Sequence, residues 1–228
     1  MTKALILAGG EGVRLRPLTY SVPKPLLPIK GKPILEIIIE NLSSFGINEI
    51  ILATGYRSYM IEAYFLNGSR HNVKIDYLVE ETQMGTAAPL KLLESDVGEQ
   101  LLVMNGDVLT DLNFKDLLSF HNSSGSHLTV CVTSYKYKVP YGIVKYDSNH
   151  LLTGIAEKPI EKHMVNAGIY VVSSELISLI PKGKKYNMTD LIVDAKKNKK
   201  RVCAFEIKGK WVDIGLMDDY QRANKSGH

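Results

Sequence analysis

The first half of the sequence alternates between short apolar runs and amphipathic segments with helical spacing, and this alternation most constrains the fold. The apolar runs have the length of strands, and each amphipathic segment can return the chain to the same edge of a sheet. We predict a mixed, mostly parallel sheet with helices on both faces, which is an α/β fold. The predicted strands are 4–8, 48–54, 73–79 and 100–104, and the predicted helices are 33–45, 57–65, 86–93 and 113–121.

After residue 126 the pattern changes to short strands that are separated by turn residues. No linker, repeat or low-complexity tract interrupts the chain. We therefore predict one domain over 1–224, with a Rossmann-like half (1–125), a β-rich half (126–224) and a short tail (225–228). The strands predicted for the second half are 128–134, 142–146, 151–157, 168–172 and 202–207, followed by an extended segment at 210–214, and the helices are 174–180 and 189–197.

The composition is that of an ordinary globular protein: 228 residues, 45% hydrophobic and 23% charged. A chain of this length can bury a core without disulfides or a structural metal. Cys131 and Cys203 lie in alternating apolar runs and are predicted to be buried, reduced thiols. No apolar stretch approaches the ~18 residues of a membrane span, and the first residues lack a signal-peptide layout. We expect a cytoplasmic protein with no membrane partner.

The net charge of +4 conceals two basic segments. Residues 1–33 carry +5 and residues 182–201 carry +6, which leaves −7 for the rest of the chain. This pattern favours a small anionic ligand or a solvated edge. A nucleic-acid partner is disfavoured, because no aromatic residues are interleaved with the lysines.

A glycine-rich loop follows the first predicted strand and lies at the carboxyl edge of the sheet, where open α/β folds bind ligands. It runs Leu7-Ala8-Gly9-Gly10-Glu11-Gly12-Val13-Arg14-Leu15-Arg16-Pro17-Leu18-Thr19. Its glycines let the backbone approach phosphate oxygens, and its arginines are forked phosphate donors. Lys24 follows between two prolines. The loop is neither a Walker A motif nor the dinucleotide fingerprint.

This loop, together with Pro23-Lys24-Pro25-Leu26, closely resembles the signature of the sugar-1-phosphate nucleotidyltransferases, and the resemblance extends to about Asn224. It implies that Gly10, Gly12, Arg14 and Lys24 hold the triphosphate. Val13 departs from the pattern, where Thr or Ser is usual. The nucleotide-binding residues that the resemblance implies are Leu7, Ala8, Gly9, Gly10, Gly12, Arg14, Lys24, Glu80, Gly85 and Thr86.

Two distant aspartates are candidates for a metal site. Asp107 follows the strand at 101–104, and Asp213 follows Trp211 near the end of the sequence. Mg²⁺ typically uses one or two protein carboxylates with phosphate oxygens and water. The resemblance implies that Asp107 and Asp213 bind Mg²⁺ and that Arg14 and Lys24 complete the catalytic set. No nucleophile is evident, so the expected reaction is direct in-line attack of a sugar 1-phosphate on a nucleoside triphosphate.

The resemblance also implies a sugar-phosphate site at Gly142, Glu157, Lys158 and Asn166. The segment 80–90 falls where the family reads the base, and its Gly-Thr-Ala and Pro-Leu elements favour a guanylyltransferase acting on a mannose- or heptose-type phosphate. Gln83-Met84 replaces the usual Pro-Leu. The segment 105–111 instead resembles uridylyltransferases for amino-sugar phosphates, so GTP and UTP both stay open.

Two further readings stay open at this point. Nucleotidyltransferase-like domains also serve as catalytically silent regulatory subunits, although the complete catalytic set argues against that role. The other alternative is a related transferase whose acceptor is not a sugar, such as phosphocholine, or is an acidic sugar without a phosphate. The Glu157-Lys158 pair and Asn166 disfavour it, because that set fits a phosphorylated sugar. Homo-oligomerisation and fusion to regulatory domains are equally compatible with the sequence.

Overall fold

The computed structural model describes residues 2–93 and 97–225. Within these ranges, the strands are β1 (Lys3–Leu7), β2 (Pro28–Ile29), β3 (Lys32–Pro33), β4 (Glu49–Thr54), β5 (Lys74–Val79), β6 (Gln100–Asn105), β7 (Val108–Thr110), β8 (Leu128–Lys138), β9 (Ile143–Tyr146), β10 (Leu152–Ala156), β11 (Ile160–Ser173), β12 (Val202–Glu206) and β13 (Trp211–Asp213). The α-helices are α1 (Ile34–Ser44), α2 (Ser58–Phe65), α3 (Ala88–Leu92), α4 (Phe114–Ser123), α5 (Met188–Lys197) and α6 (Met217–Lys225).

A mixed central sheet organises the chain in the order β12-β8-β11-β6-β1-β4-β5. Strands β6, β1, β4 and β5 run parallel, as do β12 and β8. Strand β11 is antiparallel to both β6 and β8. The predicted mixed, mostly parallel α/β fold is therefore confirmed.

Helices cover the sheet on both faces, as continuous apolar strands require. Successive β1 side chains point to opposite faces. Ala4 and Ile6 pack into a core with Leu35 and Ile39 of α1. Leu5 packs into a second core with Leu191 of α5. Because both faces of β1 are buried, its register in the sheet is fixed. This register sets the position at which the glycine-rich loop begins, after the carboxyl end of β1.

The second half differs from its prediction in its strand lengths. Strand β11 is one 14-residue strand, so Asn166 lies inside it rather than at its start. The predicted helix at 174–180 is a 3-10 helix over Ser174–Leu179. Helix α6 was not predicted and extends to Lys225, the first residue of the predicted tail at 225–228. Residues 226–228 lie outside the described residues, so the division into a domain and a tail stays a prediction.

The two cysteines differ in burial. Cys131 is buried, as predicted, and burial raises the pKa of its thiol to about 12. The prediction that Cys203 is buried is wrong, because it lies half-buried in the edge strand β12. A hydrogen bond with Ser126 lowers the pKa of the Cys203 thiol. None of the described helices is long and apolar enough to cross a membrane.

Candidate active site

A cleft of about 490 Å³ opens beyond the carboxyl ends of β1 and β6. Its walls come from the glycine-rich loop, the turn after β6, the segment that precedes α3 and the segment that precedes α5. Eleven residues that were predicted for the nucleotide or the metal line it: Leu7, Ala8, Gly9, Gly10, Gly12, Arg14, Lys24, Glu80, Gly85, Thr86 and Asp107. The structure thus brings all ten predicted nucleotide-binding residues together at the expected edge of the sheet, with Asp107 beside them.

The glycine-rich loop is held by its own side-chain contacts. Gly12 has φ +65°, and a Cβ there would lie 2.9 Å from Cγ2 of Thr19. The Thr19 hydroxyl donates a hydrogen bond to the Gly12 carbonyl at 2.9 Å. Gly10 instead has open space where a side chain would be. A phosphate could therefore approach the backbone at Gly10, whereas Gly12 is needed for the turn itself.

A short antiparallel ladder brings the two predicted metal ligands into one site. Strands β7 and β13 pair with Asp213 opposite Val108, and the Ile214 N–H donates to the Asp107 carbonyl at 2.9 Å. The ammonium group of Lys24 forms a short ion pair with Oδ2 of Asp107. Lys24 is only 9% exposed, so this pair is largely shielded from water.

The carboxylates retain unused ligand atoms. Oδ1 of Asp107 and Oδ1 of Asp213 are both buried and have no hydrogen-bond partner among the described residues. Burial raises the pKa of Asp213, the charge of Asp107 raises it further, and the cations of Lys24 and Arg14 oppose the shift. Buried carboxylate oxygens without partners are unfavourable unless a cation or donor joins them. This donor set fits a hard divalent cation such as Mg²⁺.

The two arginines of the loop take different positions. Arg14 lines the cleft, and its Nη2 lies 3.4 Å from where a Cβ on Gly215 would stand. Arg16 pairs with Glu11 at 3.4 Å and lies over the ring of Tyr20. Arg14 is therefore the arginine that can reach phosphate oxygens in the cleft.

Another wall of the cleft carries Glu80 and the residues that follow it. Burial raises the pKa of Glu80, although its carboxylate accepts a hydrogen bond from the Met84 N–H. The side-chain amide of Gln83 donates to the Gly9 carbonyl at 2.5 Å. A Cβ at Gly85, where φ is +94°, would lie 2.6 Å from the Tyr186 carbonyl oxygen. This wall thus combines a half-buried acceptor with a tightly packed backbone.

The structure adds cleft residues that the sequence reasoning missed, namely Gln83, Asn105, Lys185, Asn187 and Gly215. The segment before α5 reaches the cleft because the Tyr186 N–H donates to the Met84 carbonyl at 2.7 Å and the Met188 N–H donates to Thr86 Oγ1 at 2.9 Å. The sequence leaves the basic segment 182–201 open between a small anionic ligand and a solvated edge, and the structure places its Lys185 in the cleft. Its +6 charge was the signal that could have placed Lys185 in the cleft.

The residues that were predicted for the sugar phosphate form a separate group. A Cβ at Gly142 would lie 2.9 Å from Glu157 Oε2, and Glu157 Oε1 lies 3.8 Å from the Lys158 ammonium. These three residues flank β9 and β10 and are not among those lining the cleft. Asn166 donates to the Tyr170 hydroxyl at 2.8 Å and accepts from the Gly168 N–H at 3.0 Å. Its side chain is therefore already engaged within β11.

The sequence of this chain matches the model of a known protein family over nearly its whole length. The model of the nucleotidyl transferase family matches residues 3–228. The chain belongs to the nucleotidyl transferase family. Among curated relatives, the mannose-1-phosphate guanyltransferase of Aspergillus oryzae is 35% identical over 226 residues, covering 96% of this chain. That of Schizosaccharomyces pombe has the same identity and coverage. The chain spans 62% of the length of these two relatives.

Several solved structures resemble nearly the whole chain. HddC from Yersinia pseudotuberculosis is 28% identical with a TM-score of 0.78, and 99% of each chain is covered. Its complex with GMP-PN gives a TM-score of 0.77. A putative glucose-1-phosphate thymidylyltransferase from Bacillus anthracis, complexed with a sucrose, is 27% identical with a TM-score of 0.80, covering 98% of this chain and 94% of that one. The likeness thus extends over both halves of the fold.

Proposed function

We propose that this chain transfers the nucleoside monophosphate of GTP to a sugar 1-phosphate and releases pyrophosphate. The single observation that carries the proposal is the cleft in which the glycine-rich loop, Lys24 and Asp107 converge. The curated relatives are mannose-1-phosphate guanyltransferases, and one structural neighbour was solved with GMP-PN. These names favour GTP over UTP, and among the sugar phosphates left open by the sequence they favour one of the mannose type.

The reaction needs positioning and charge neutralisation more than a nucleophilic side chain. An oxygen of the sugar phosphate, already ionised at neutral pH, attacks the α-phosphorus of the triphosphate. The new P–O bond forms as the α–β anhydride bond breaks, and the electron pair leaves with pyrophosphate. Arg14 and the glycine-rich loop hold the phosphates, and Lys24 offsets negative charge at the reacting group. No proton has to be removed from the attacking oxygen.

Asp107 and Asp213 would hold Mg²⁺ through their buried, unpartnered oxygens. A bound Mg²⁺ supplies Lewis-acid stabilisation of the charge on the triphosphate. The ion pair of Lys24 with Oδ2 holds Asp107 in place and leaves Oδ1 free for the cation. The other predicted roles, sugar-phosphate binding by Gly142, Glu157, Lys158 and Asn166, belong to the same proposal.

Pyrophosphate release in the presence of Mg²⁺, measured for GTP, UTP, ATP, CTP and dTTP against a panel of sugar 1-phosphates, tests this function. We expect turnover with GTP and a mannose- or heptose-type phosphate. Preference for UTP with an amino-sugar phosphate would replace the guanylyltransferase assignment. Nucleotide binding without turnover across the panel would favour a regulatory subunit, and absence of nucleotide binding would refute our assignment of the loop.

Glu80 is expected to contribute to recognition of the base. Its carboxylate can accept hydrogen bonds from the N1–H and the amino group of guanine, which adenine does not present in that arrangement. Replacing Glu80 with Gln removes a charge-assisted acceptor, a loss of about 1.5–3 kcal/mol, so kcat/KM for GTP should fall roughly 10- to 100-fold. The neighbouring Glu81 is exposed, and Glu81→Gln should leave kcat/KM unchanged. An equal loss for all five nucleotides in Glu80→Gln would contradict base recognition.

Lys158 is expected to act on the sugar phosphate rather than on the nucleotide. Replacing it with Ala should raise the KM for sugar phosphate by about tenfold or more, because a charge-assisted contact to phosphate is lost. The KM for GTP should change little. Lys162→Ala on β11 is the matched control, since Lys162 is also an exposed lysine of the second half. A larger change in the KM for GTP would place Lys158 on the nucleotide side.

A further inference from the structure

The glycine-rich loop and the segment that leads from it to Lys24 are anchored at both ends. The Ala8 N–H donates to the Ala53 carbonyl of β4 at 2.8 Å, and Lys24 forms its ion pair with Asp107. Between these anchors the chain crosses the surface, and residues 20–21 are exposed. Exposed segments with few buried contacts open easily unless another group holds them. The course of this segment therefore depends on the side chain that holds residues 20–21.

Arg57, which lies between β4 and α2, holds this segment through its guanidinium group. Its Nη1 donates to the Ser21 carbonyl at 2.8 Å, and its Nη2 donates to the Tyr20 carbonyl at 2.6 Å. Its Nε donates to the Tyr56 hydroxyl at 2.9 Å. A guanidinium is a planar fork of fixed donors, so binding two consecutive carbonyls and a neighbouring hydroxyl fixes its orientation. One side chain thus joins the turn after β4 to the residues just before Lys24.

The same turn also contacts the beginning of the glycine-rich loop. The Tyr56 N–H donates to the Gly9 carbonyl at 3.4 Å, and a Cβ on Gly55 would lie 3.2 Å from that carbonyl oxygen. Strand β4 pairs with β1 on one side and with β5 on the other, so the turn is carried by the interior of the sheet. The turn at 55–57 therefore contacts the loop near its start and again just before Lys24, and it sets the distance between these two parts.

The backbone of Arg57 adopts the left-handed conformation, with φ +54°. This region is uncommon for a residue with a side chain and costs conformational energy. Such conformations persist where surrounding contacts hold them, and they concentrate at functional sites. Here the three guanidinium hydrogen bonds and the bond from the Met60 N–H to the Arg57 carbonyl at 3.0 Å supply those contacts. Arg57 is thus held at a fixed place, whereas Arg70 in the 3-10 turn at Ser69–His71 is an exposed arginine.

We propose that Arg57 is a positioning residue for the triphosphate, because it holds the chain between Arg14 and Lys24 in the conformation that brings both cations to the phosphates. Arg57 is not among the described residues that line the cleft, so it acts through the loop and not by contact with the nucleotide. A loop that is held in place before binding loses less conformational entropy when the phosphates bind. The role in nucleotide binding rests on the proposed function, whereas the hold on the loop does not.

Steady-state kinetics of Arg57→Ala and Arg57→Lys test this role. We expect Arg57→Ala to raise the KM for GTP about tenfold, because two hydrogen bonds from a charged donor to the loop are lost. The KM for sugar phosphate should change little, since the residues assigned to that substrate lie outside the loop. Arg57→Lys keeps the charge but replaces the fork by one ammonium group, and it should give an intermediate KM for GTP. Arg70→Ala removes an exposed arginine and is the matched control, with no change expected in either KM.

Amide hydrogen exchange measures the hold on the loop without any need for turnover. The N–H groups of Leu15 and Tyr20 donate within the loop, to the carbonyls of Gly12 and Pro17. These amides should exchange several-fold faster in Arg57→Ala, while exchange in β4 and the far-UV circular dichroism stay unchanged. Unchanged exchange at these amides would overturn the proposal.

An unchanged KM for GTP in Arg57→Ala would overturn the proposed role, and so would an equal rise in both KM values. If Arg57→Ala fails to fold, Arg57→Lys carries the same comparison. If the unchanged chain binds GTP without turnover, the proposed function fails, and the dissociation constant for GTP should still rise about tenfold in Arg57→Ala. Absence of GTP binding by the unchanged chain would refute both the proposed function and the role of Arg57.

Discussion

Replacing Asp213 with Asn should abolish Mg²⁺-dependent turnover while raising the thermal stability of the metal-free protein. Burial and the nearby charge of Asp107 raise the pKa of Asp213. A raised pKa means that folding favours the protonated form, so the ionised carboxylate destabilises the fold at a pH above that value. Asn removes this charge with little change of shape. The stability gain should therefore be present at pH 8 and vanish as the pH falls below the ordinary range of an aspartate pKa.

The expected loss of turnover in Asp213→Asn comes from the metal site and not from the stability of the fold. The unpartnered Oδ1 atoms of Asp107 and Asp213 suit a divalent cation, and an amide at 213 replaces a charged ligand with a neutral one. We expect kcat to fall by about 10³-fold or more, in line with removal of a preorganised electrostatic group. In the unchanged chain, adding Mg²⁺ should raise Tm because a cation that binds only the folded state stabilises it. In Asp213→Asn this rise should be largely lost.

Two measurements test both expected effects of Asp213→Asn. The first is Tm at pH 8, in EDTA and in Mg²⁺, and the second is pyrophosphate release. Asp76→Asn is the matched control, because Asp76 is an exposed aspartate that pairs with Lys74 on the surface at 3.0 Å. It should change neither turnover nor the response to Mg²⁺. Full turnover in Asp213→Asn would show that Asp213 is not needed as a metal ligand. A lower Tm in EDTA would contradict the view that its ionised carboxylate destabilises the fold.

The nucleotide half could be predicted well because its signals are local in sequence. The apolar β1 run, the glycines after it and the apolar strand before Asp107 place candidate site residues at the ends of parallel strands. Such strands share one edge of the sheet, so topology alone brings the loop near Asp107. The side chain of Asn113 accepts from the N–H groups of Lys115 and Asp116, and this cap was also predictable from residue type.

The pairing of β7 with β13 could not be predicted from the sequence. It joins segments about a hundred residues apart through two three-residue strands, which carry too little periodicity to indicate a partner. Only the family resemblance suggested that Asp213 approaches Asp107. Lys185 was missed for a related reason, since its position depends on backbone hydrogen bonds between Tyr186 and the loop at Met84 and Ala87. Contacts of this kind leave no pattern in residue type.

Lys24 should prove more important for folding than a surface lysine, in addition to its part in the reaction. It is 9% exposed and pairs with Asp107, whose side chain is only 25% exposed. Replacing Lys24 with Met keeps the length and apolar stem of the side chain but leaves the Asp107 carboxylate without its cation. Removing one partner of a buried ion pair typically costs about 3–5 kcal/mol. We expect a loss of about 3 kcal/mol in the free energy of unfolding, together with loss of turnover.

Urea unfolding of Lys24→Met and of the double variant Lys24→Met/Asp107→Asn separates the two causes. If the uncompensated carboxylate is responsible, the double variant should recover most of the stability lost in the single one, while both stay inactive. Lys74→Met is the surface control, since its pair with Asp76 is exposed on both sides and should contribute less than about 1 kcal/mol. Failure of the double variant to recover stability would mean that Lys24 acts mainly through packing of its stem. Lys24→Met increases the excess of negative charge at this site, and Asp213→Asn reduces it. We therefore expect the first substitution to lower the stability of the fold and the second to raise it.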